Sequence, residues 1–496
     1  MTNTLFDALF GPRQASPRPF LIPRHGDPVT YGAFLDRSAQ LAGLFEQLGV
    51  EKGDRIAVQV AKTPEALAIY AACVRTGAVL LPLNTAYTAD EVAYFIADAQ
   101  PRLLIADPGS IDALGGLAAR HGATLLTLGA DGTGTLTDAA NAHGTDHGVR
   151  ACEPDDLAAI LYTSGTTGRS KGAMLSHRNL LSNAQVLAEL WRFTADDVLL
   201  HALPIFHTHG LFVAVNTCLA AGASMIFHPG FDTDAVMDAL PRATAMMGVP
   251  TFYTRLLQSP ALTRDLVGHI RVFISGSAPL LAETHREFSV RTGHRILERY
   301  GMTETNMNTS NPYVGERKPG TVGLPLPGTE VAITDPDTGA ELPHGEVGMI
   351  EVRGANVFRG YWRMPEKTAD ELRADGFFIT GDLGCVDADG YLAIVGRQKD
   401  LIISGGYNIY PKEIELLIDE LPGVVESAVF GVPDADFGEA VVAAVVADGA
   451  SAEDVIAALR PKLARFKQPK RVILLDDLPR NAMGKVQKAV LRDSYS

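Results

Sequence analysis

Cysteines are few and long apolar runs are absent in this 496-residue sequence. Its cysteines, Cys73, Cys152, Cys218 and Cys385, stand singly, without the CxxC pairs or close spacing typical of a disulfide framework. No window reaches about 18 uninterrupted apolar residues, because the best one, YAACVRTGAVLLPL, carries Arg75. The start, MTNTLFDALFG, lacks the basic and apolar regions of a secretory signal. These absences predict a reduced, cytoplasmic protein without a membrane span.

The sequence also has fewer basic than acidic residues. Lys and Arg total 43 against 58 Asp and Glu, which gives a formal net charge of -15. Such a surface repels nucleic-acid phosphates and anionic lipids, so neither nucleic acid nor a membrane is expected as a partner. An anionic substrate would need a local cationic pocket. The balance of 46% hydrophobic and 20% charged residues is typical of a globular chain.

The apolar pattern divides the chain into three regions. Strand-like runs alternate with helical patterns from residue 30 to about 310, which is typical of parallel α/β sheets. Short extended pieces separated by turns follow, and they predict an antiparallel sheet or a small barrel. We therefore predict a large N-terminal domain of α/β sheets plus a small antiparallel β-barrel over 1–396. A hinge at 397–400 and a small mobile α+β C-terminal domain over 401–496 would follow.

The stretch YTSGTTGRSKG, residues 162–172, joins a predicted strand to a helix whose expected N-cap is Ser176. Its glycines let backbone N–H groups approach phosphate oxygens, its hydroxyls add donors and its lysine offsets charge. Lys171 follows Gly168 by three places and precedes Gly172, so the pattern of P-loop NTPases is not met. A polar surface loop is the alternative, but this combination favours a nucleotide-phosphate site.

The same stretch resembles the phosphate-loop signature of the acyl-adenylate-forming enzymes, which include the acyl-CoA synthetases. Further stretches resemble the family's motifs in the family's order: PIFHTHG, SGSAPL, YGMTET, GFFITGDLG, GYLAIVGRQKDLIISGGYNIYPKEIE and LPRNAMGK. The resemblance covers most of the chain from residue 160 onward. It implies a two-step ligase, in which a carboxylate attacks the α-phosphorus of ATP to give an acyl-adenylate and pyrophosphate. The thiol of coenzyme A then displaces AMP from the acyl-adenylate.

The resemblance also implies which residues bind ATP. A mobile lid over the β- and γ-phosphates would comprise Thr163, Ser164, Gly165, Thr166, Thr167, Gly168 and Lys171. The adenine and α-phosphate side would comprise Gly276, Ser277, Ala278, Pro279, Glu298, Tyr300, Gly301, Met302 and Thr303, with Tyr300 stacked on the base and Thr303 bonded to the α-phosphate. Glu304 would hold Mg²⁺, since this hard cation suits one carboxylate plus phosphate oxygens.

Asp382 and Arg397 would bind the ribose hydroxyls, although a turn cap and a surface cation are their respective alternatives. Lys485 would contact ATP and neutralise charge between carboxylate and α-phosphate in the first step. In this motif Ala482 stands where the family has threonine. Because coenzyme A must enter later, the resemblance implies a rotation of the C-terminal domain about Lys399. The pantetheine tunnel would then be lined by Gly405, Gly406 and Tyr407.

The choice of acid depends on Arg299, which directly precedes Tyr300 where many relatives with apolar substrates have glycine. On an extended segment the two side chains point to opposite faces, so placing Arg299 at the acid rests on the resemblance. A guanidinium there suits the second carboxylate of a dicarboxylic acid, with His207 and Ser277 beside it. The alternative is a contact with Glu298 or the backbone that only braces the loop.

The segment ERYGMTETNMNTSNP resembles malonyl-CoA synthetases, which implies malonate, or methylmalonate, as the acid. A CoA ligase for an aromatic or medium-chain monocarboxylate is the nearer alternative. A non-catalytic adenylate-binding or carrier-docking module is the more distant one, but it would not need Lys171, Glu304, Asp382, Arg397 and Lys485 together. Catalytic roles are expected for Lys485, Thr303, Glu304 and His207. The expected partners are the acid, ATP, coenzyme A and Mg²⁺, bound to a monomer or small homo-oligomer.

Overall fold

The computed structural model describes residues 2–163, 170–404, 407–434, 436–480 and 485–496. Their α-helices, in chain order, are α1 (Thr4–Leu9), α2 (Tyr31–Gln47), α3 (Pro64–Thr76), α4 (Ala89–Ala99), α5 (Ile111–Arg120), α6 (Thr135–Ala140), α7 (His177–Leu190), α8 (Asn216–Ala221), α9 (Thr233–Ala239), α10 (Pro250–Gln258), α11 (Arg264–Val267), α12 (Ala282–Thr292), α13 (Pro365–Glu371), α14 (Pro411–Asp419), α15 (Ala452–Leu459) and α16 (Lys488–Tyr495). A π-helical segment, His209–Val215, runs directly into α8.

The strands of the same residues are β1 (Pro19–Pro23), β2 (Val29–Thr30), β3 (Arg55–Gln59), β4 (Val79–Pro82), β5 (Leu103–Ala106), β6 (Thr124–Thr127), β7 (Leu157–Thr163), β8 (Lys171–Ser176), β9 (Val198–His201), β10 (Ser224–Phe227), β11 (Ala245–Gly248), β12 (Val272–Ser275), β13 (Leu297–Met302), β14 (Asn306–Ser310), β15 (Leu324–Pro325), β16 (Thr329–Thr334), β17 (Gly348–Gly354), β18 (Phe378–Val386), β19 (Leu392–Arg397), β20 (Ile402–Ser404), β21 (Tyr407–Ile409), β22 (Val424–Asp434), β23 (Gly438–Ala447) and β24 (Arg471–Leu475).

Two largely parallel sheets dominate the larger compact unit, which comprises residues 1–331 and 352–378. One has the order β6-β5-β3-β4-β7-β8, and the other has the order β15-β14-β13-β12-β11-β9-β10-β1-β2. Their strands are short, almost wholly buried and separated by helices, as the alternating sequence pattern predicts. The second sheet packs helices α10 and α12 over an apolar cluster that includes Tyr253, Phe273 and Phe288.

The entry to helix α7 shows how local sequence positions the first predicted motif. Ser176 accepts a hydrogen bond from the Asn179 N–H at 3.2 Å, and the Asn179 side chain accepts one from the Ser176 N–H at 2.8 Å. This capping box satisfies N–H groups that the first helical turn leaves free, and it confirms Ser176 as the N-cap. Strand β8, which begins at Lys171, is therefore followed by a helix without an intervening loop.

The smaller compact unit comprises residues 332–351 and 379–496. Its mixed sheet has the order β21-β20-β23-β22, with β24 paired parallel to β23. Helices α14 and α15 contribute Ile414, Ile418 and Val455 to an apolar cluster on this sheet. The expected change to short extended pieces after residue 311 corresponds to a four-stranded sheet, ordered β16-β17-β18-β19. The predicted class, an α/β chain with a large N-terminal and a small C-terminal domain, is confirmed.

The compact units divide the chain at other positions than the predicted boundary. Segment 332–351 groups with 379–496, so the smaller unit draws on two separate stretches of sequence. Residues 398–400 form a single 3₁₀ turn between β19 and β20. Rotation about this turn stays a prediction. Within the described ranges, no helix is both long and apolar enough to cross a bilayer.

Candidate active site

The SGSAPL and YGMTET motifs meet at one edge of the nine-stranded sheet. Strands β12 and β13 are parallel neighbours, with Ser275 opposite Glu298. The carboxyl ends of parallel strands lie at the same edge, where ligands of open α/β sheets usually bind. The chain then turns from β13 into antiparallel β14 through residues 303–305. This turn places the predicted α-phosphate and magnesium residues, Thr303 and Glu304, directly after the carboxyl end of β13.

Gly301 is required by this turn. A Cβ at position 301 would lie 1.7 Å from the Asn306 carbonyl oxygen, so a side chain there would force the two strands apart. The register shifts between Tyr300 and Gly301, which is the signature of a β-bulge. Bulges re-aim neighbouring side chains, and this one precedes the Thr303–Glu304 turn.

Arg299 is a buried guanidinium with no counter-ion among the described residues. Its side chain is 3% exposed, and its Nε and Nη2 atoms have no hydrogen-bond partner among the described residues. Burial lowers the pKa of Arg299 to about 9, because the charged form is poorly solvated. The Glu298 carboxylate accepts instead from the Leu280 N–H at 3.3 Å. A brace between Arg299 and Glu298 is therefore not what the structure shows.

Gly276 makes room for this guanidinium. A Cβ at position 276 would lie 2.3 Å from Arg299 Nη1 and 2.4 Å from its Cζ. The arginine head therefore rests on the backbone of the loop that follows β12. This close approach explains why the second position of SGSAPL is glycine. It also shows that this motif packs directly against Arg299.

His209 lies beside Ser277 and within the electrostatic reach of Arg299. The Ser277 Oγ is 3.2 Å from His209 Nδ1, and Ser277 has a backbone φ of 73°, which is uncommon for a residue with a side chain. Burial lowers the pKa of His209 well below its usual value, and the Arg299 charge lowers it further. His209 is therefore neutral at pH 7. The sequence prediction missed His209, although it is the second histidine of PIFHTHG.

His207, the histidine that the sequence did single out, is half-buried in the same segment. Its Nδ1 accepts a hydrogen bond from the His209 N–H at 3.3 Å. The two histidines and Ser277 thus line one stretch of the site. Acid binding by His207 and Ser277 stays a prediction.

Lys62 and His201 add a second buried basic pair behind His209. Lys62 Nζ lies 2.7 Å from His201 Nδ1 and 2.9 Å from the His201 carbonyl oxygen, and 4.4 Å above the Phe227 ring. His201 Nε2 lies 2.8 Å from the Gly210 carbonyl oxygen. Burial lowers the pKa of Lys62 far below its usual value. No sequence motif pointed to this pair.

The phosphate side contains Lys171, at the start of β8 and only 8% exposed. Its Nζ lies 3.1 Å from the Tyr361 hydroxyl and 3.3 and 3.2 Å from the two carboxylate oxygens of Glu371. Thr163 pairs with Lys171 across β7 and β8. The other predicted lid residues, Ser164, Gly165, Thr166, Thr167 and Gly168, lie outside the described residues.

Tyr361 connects Lys171 to the predicted magnesium ligand. Its hydroxyl is 2.6 Å from Glu371 Oε2 and 3.1 Å from Glu304 Oε1. Burial and the two carboxylates raise the pKa of Tyr361, so the phenol keeps its proton and donates. Neither Tyr361 nor Glu371 belongs to a motif that the sequence analysis used.

The residues fit a magnesium ion held mainly by substrate. Glu304 is 5% exposed and carries one carboxylate beside the phosphate-side lysine. The described residues contain no group of three or more His, Cys, Asp or Glu side chains suited to a metal. Mg²⁺ is commonly bound through one or two carboxylates, substrate phosphates and water, so a site with one protein carboxylate suits it.

Other predicted ATP residues occupy the same two motif loops. Ala278 and Pro279 are exposed, Met302 and Thr303 are half-buried, and Tyr300 is buried on β13. In the smaller unit, Asp382 and Arg397 are cross-strand partners on β18 and β19, and Arg397 Nε lies 2.8 Å from Asp382 Oδ1. Adenine, α-phosphate and ribose binding by these residues stays a prediction.

Lys485 is exposed in the smaller unit. Arg480 and Val486 form a β-bridge, and the Gln487 N–H donates to the Pro479 carbonyl at 2.7 Å. Lys488, the first residue of α16, has its Nζ 2.5 Å from Glu415 Oε1 on α14.

Tyr407, a predicted coenzyme A residue, is exposed and stacks on Phe466 with a centroid distance of 4.5 Å. Gly405 and Gly406 lie outside the described residues. Lys399, the predicted hinge, lies within the 3₁₀ turn after β19.

Comparison with known proteins identifies the class. Residues 12–362 match the family model of the AMP-binding enzyme, and residues 413–485 match the AMP-binding enzyme C-terminal domain. The chain therefore belongs to the AMP-binding enzyme family, which confirms the resemblance to adenylate-forming enzymes.

Individual relatives span nearly the whole chain. The malonate–CoA ligase of Arabidopsis thaliana is 34% identical over 541 residues, covering 99% of this chain and 88% of the relative. The feruloyl-CoA synthase of an Amycolatopsis species is 38% identical over 489 residues, covering 97% and 96%. Among solved structures, ATP-bound MatB from Rhodopseudomonas palustris is 59% identical, with a TM-score of 0.97 over 100% of this chain and 99% of that one.

Proposed function

We propose that this chain is an AMP-forming ligase that makes malonyl-CoA from malonate, ATP and coenzyme A through an acyl-adenylate. The family match and the Arabidopsis relative named as a malonate–CoA ligase support the reaction. One observation carries the choice of acid. The guanidinium of Arg299, in the middle of β13, is buried and has no counter-ion within the described part of the chain.

A buried charge without a partner is costly, by several kcal/mol in folded proteins. Malonate has a second carboxylate that supplies the missing charge, and a guanidinium can bind it through two parallel hydrogen bonds. A monocarboxylic acid would leave Arg299 unpaired and would place an alkyl or aryl group against it. The site therefore favours a short dicarboxylic acid, with methylmalonate as the alternative substrate.

In the first half-reaction the main difficulty is the approach of two anions, so charge neutralisation and positioning matter most. His207 and Ser277 would orient the acid, and Thr303 would bond to the α-phosphate of ATP. Lys171 and Lys485 would offset negative charge on the polyphosphate and on the attacking carboxylate. Glu304 would hold Mg²⁺, which when bound neutralises phosphate oxygens.

In the second half-reaction the coenzyme A thiol displaces AMP from the acyl-adenylate. Lys485 has no further role there, and turning the C-terminal domain about Lys399 would remove it. Gly405, Gly406 and Tyr407 would then guide the pantetheine arm. ATP, the acid and coenzyme A are the partners that this proposal needs.

The proposal is tested by comparing malonate, methylmalonate, acetate, propionate and coumarate as substrates of the purified chain. AMP release and acyl-CoA formation are measured with saturating ATP and coenzyme A. We expect kcat/KM for malonate to exceed that for acetate or propionate by roughly 30-fold or more, the value of one desolvated charge pair. A preference for coumarate or propionate would overturn the malonate assignment while leaving the ligase assignment intact.

A further inference from the structure

Lys171 differs from Arg299 because its charge is already balanced. Its ammonium contacts both carboxylate oxygens of Glu371, 200 positions away in sequence, at 3.3 and 3.2 Å. It also contacts the Tyr361 hydroxyl at 3.1 Å and lies 4.2 Å from the Tyr361 ring centre. A carboxylate of the protein therefore contacts the same ammonium that the proposed function assigns to phosphate.

Glu371 has a second cation. Lys367 lies one helical turn earlier on α13, and its Nζ is 2.9 Å from Glu371 Oε1. Burial would raise the pKa of Glu371, but hydrogen bonds from Lys367, Tyr361 and Lys171 hold it below its usual value. Glu371 is thus an ionised carboxylate shared by two lysines. It can lose one of them and still keep a counter-ion.

The segment that leads into helix α13, which carries Glu371, is paired with the strand that carries Lys171. The Trp362 N–H donates to the Gly172 carbonyl at 2.7 Å, and the Met174 N–H donates to the Gly360 carbonyl at 3.0 Å. This backbone pairing fixes Tyr361 beside β8. The Tyr361 hydroxyl, in turn, reaches Glu304 at 3.1 Å. The lysine, the tyrosine and both carboxylates form one connected group.

We propose that Glu371 is a positioning residue that holds Lys171 when ATP is absent and releases it to the phosphates when ATP binds, while Lys367 remains as its counter-ion. This inference rests on the proposed function, because it needs Lys171 to contact the ATP phosphates. Glu371 then competes with ATP and with pyrophosphate for the same ammonium. Lys367 has the opposite effect, since it weakens the hold of Glu371 on Lys171.

The competition predicts shifts of opposite sign in two neighbouring variants. Glu371→Gln removes the competing charge, so we expect the dissociation constants of ATP and pyrophosphate to fall by roughly 3- to 10-fold. Lys367→Met leaves Glu371 with Lys171 as its remaining cation, so the same constants should rise by roughly 2- to 5-fold. A merely structural role would shift both variants in the same direction.

The experiment is equilibrium binding of Mg–ATP and of pyrophosphate, without acid or coenzyme A, to the full chain. Glu366→Gln is the matched control, because Glu366 lies exposed on the same helix and its loss changes the net charge equally. In the double variant Glu371→Gln/Lys367→Met, the effect of Lys367→Met should vanish, since it acts through Glu371. Thermal unfolding of each variant checks that it is folded.

Lys171→Met in the same binding assay distinguishes a failure of the proposed phosphate contact of Lys171 from a failure of the positioning role of Glu371. If it leaves the affinity for ATP and pyrophosphate unchanged, the proposed phosphate contact of Lys171 is wrong. If it weakens both ligands, but Glu371→Gln fails to tighten them or Lys367→Met fails to weaken them, the positioning role of Glu371 is wrong and the phosphate contact stands.

Discussion

Arg299 and Lys171 are both buried basic residues of the larger unit, yet only Lys171 has an acid beside it. Arg299 rests on the backbone at Gly276 and faces neutral His209, whereas Lys171 contacts both oxygens of Glu371. For Arg299, a ligand with a second carboxylate relieves an existing electrostatic cost. For Lys171, a ligand must displace an existing partner.

The two residues would therefore have different roles. Arg299 would select the acid, and Lys171 would let ATP bind and pyrophosphate leave. A buried charge without a counter-ion discriminates strongly between ligands, because only a ligand of opposite charge can neutralise it. A compensated charge binds its ligand more weakly and lets it leave, which suits a site that takes up ATP and must release pyrophosphate. Arg271 shows that the same sheet can pair an arginine fully, since Asp197 holds its Nε at 2.6 Å and its Nη2 at 3.0 Å. The lack of a counter-ion for Arg299 among the described residues is therefore specific to this position and is not general to arginines of this sheet.

The largest expected effect extends the comparison to Lys485 in the smaller unit. Lys485→Ala should slow adenylation of malonate by roughly 100-fold or more, because its charge is needed while two anions approach. Formation of malonyl-CoA from supplied malonyl-adenylate should change little. Lys470→Ala, which removes a lysine paired with Asp434 at 2.8 Å, is the control. Equal losses in both half-reactions would contradict the assigned division of labour.

A second prediction moves Arg299 without deleting it. Gly276→Ala places a methyl group where the guanidinium lies, so kcat/KM for malonate should fall by roughly 30-fold or more. Gly116→Ala, on α5 with open space around it, is the control and should leave turnover unchanged. Wild-type turnover of malonate by Gly276→Ala would show that the packing of Arg299 on position 276 does not matter.

The third prediction compares how Arg271, which has a carboxylate partner, and Arg299, which has none among the described residues, contribute to the free energy of unfolding. Asp197→Asn leaves Arg271 without its carboxylate and should lower the free energy of unfolding by about 2–4 kcal/mol. Arg299→Met removes a buried charge that has no counter-ion among the described residues and should raise the free energy of unfolding, because the cost of burying that charge disappears. Urea unfolding of both variants measures this. Equal destabilisation would mean that Arg299 has a structural partner after all.

The smallest expected effect concerns Glu298, the neighbour of Arg299 on β13. Burial raises the pKa of Glu298 from 4.5 to about 8, so its folded form binds a proton more tightly than its unfolded form. Its contribution to stability is therefore complete below pH 4.5 and is lost as pH rises through 8. Glu298→Gln should reduce the loss of unfolding free energy between pH 5 and pH 8 by roughly 2 kcal/mol. Parallel pH profiles for wild type and variant would contradict this.

Much of the fold and of the family could be predicted because the signals are local. The capping box at Ser176 lies within four consecutive residues, and each motif loop follows its own strand. The partners of the motif residues were missed because they come from distant segments. Glu371 reaches Lys171 from 200 positions away, and Lys62 meets His201 from 139. The grouping of 332–351 with 379–496 was missed for the same reason.

Arg299 shows what could and what could not be predicted from the sequence. The resemblance placed it at the acid, but period-2 alternation alone put it on the face opposite Tyr300 and left a brace with Glu298 open. The structure shows no contact between Arg299 and Glu298 among the described residues, but it packs the guanidinium on the backbone at Gly276, so acid binding by Arg299 stays a prediction.

The central claim is that Arg299 binds the second carboxylate of the acid. Its most direct test is the ratio of kcat/KM for malonate to that for propionate, in wild type and in Arg299→Ala. We expect this ratio to fall by roughly 30- to 1000-fold, because malonate loses a charge-assisted pair and propionate loses none. Arg299→Lys should recover only part of it, since an ammonium lacks the planar fork. An unchanged ratio in a folded variant, or an equal loss for both acids, would contradict the claim.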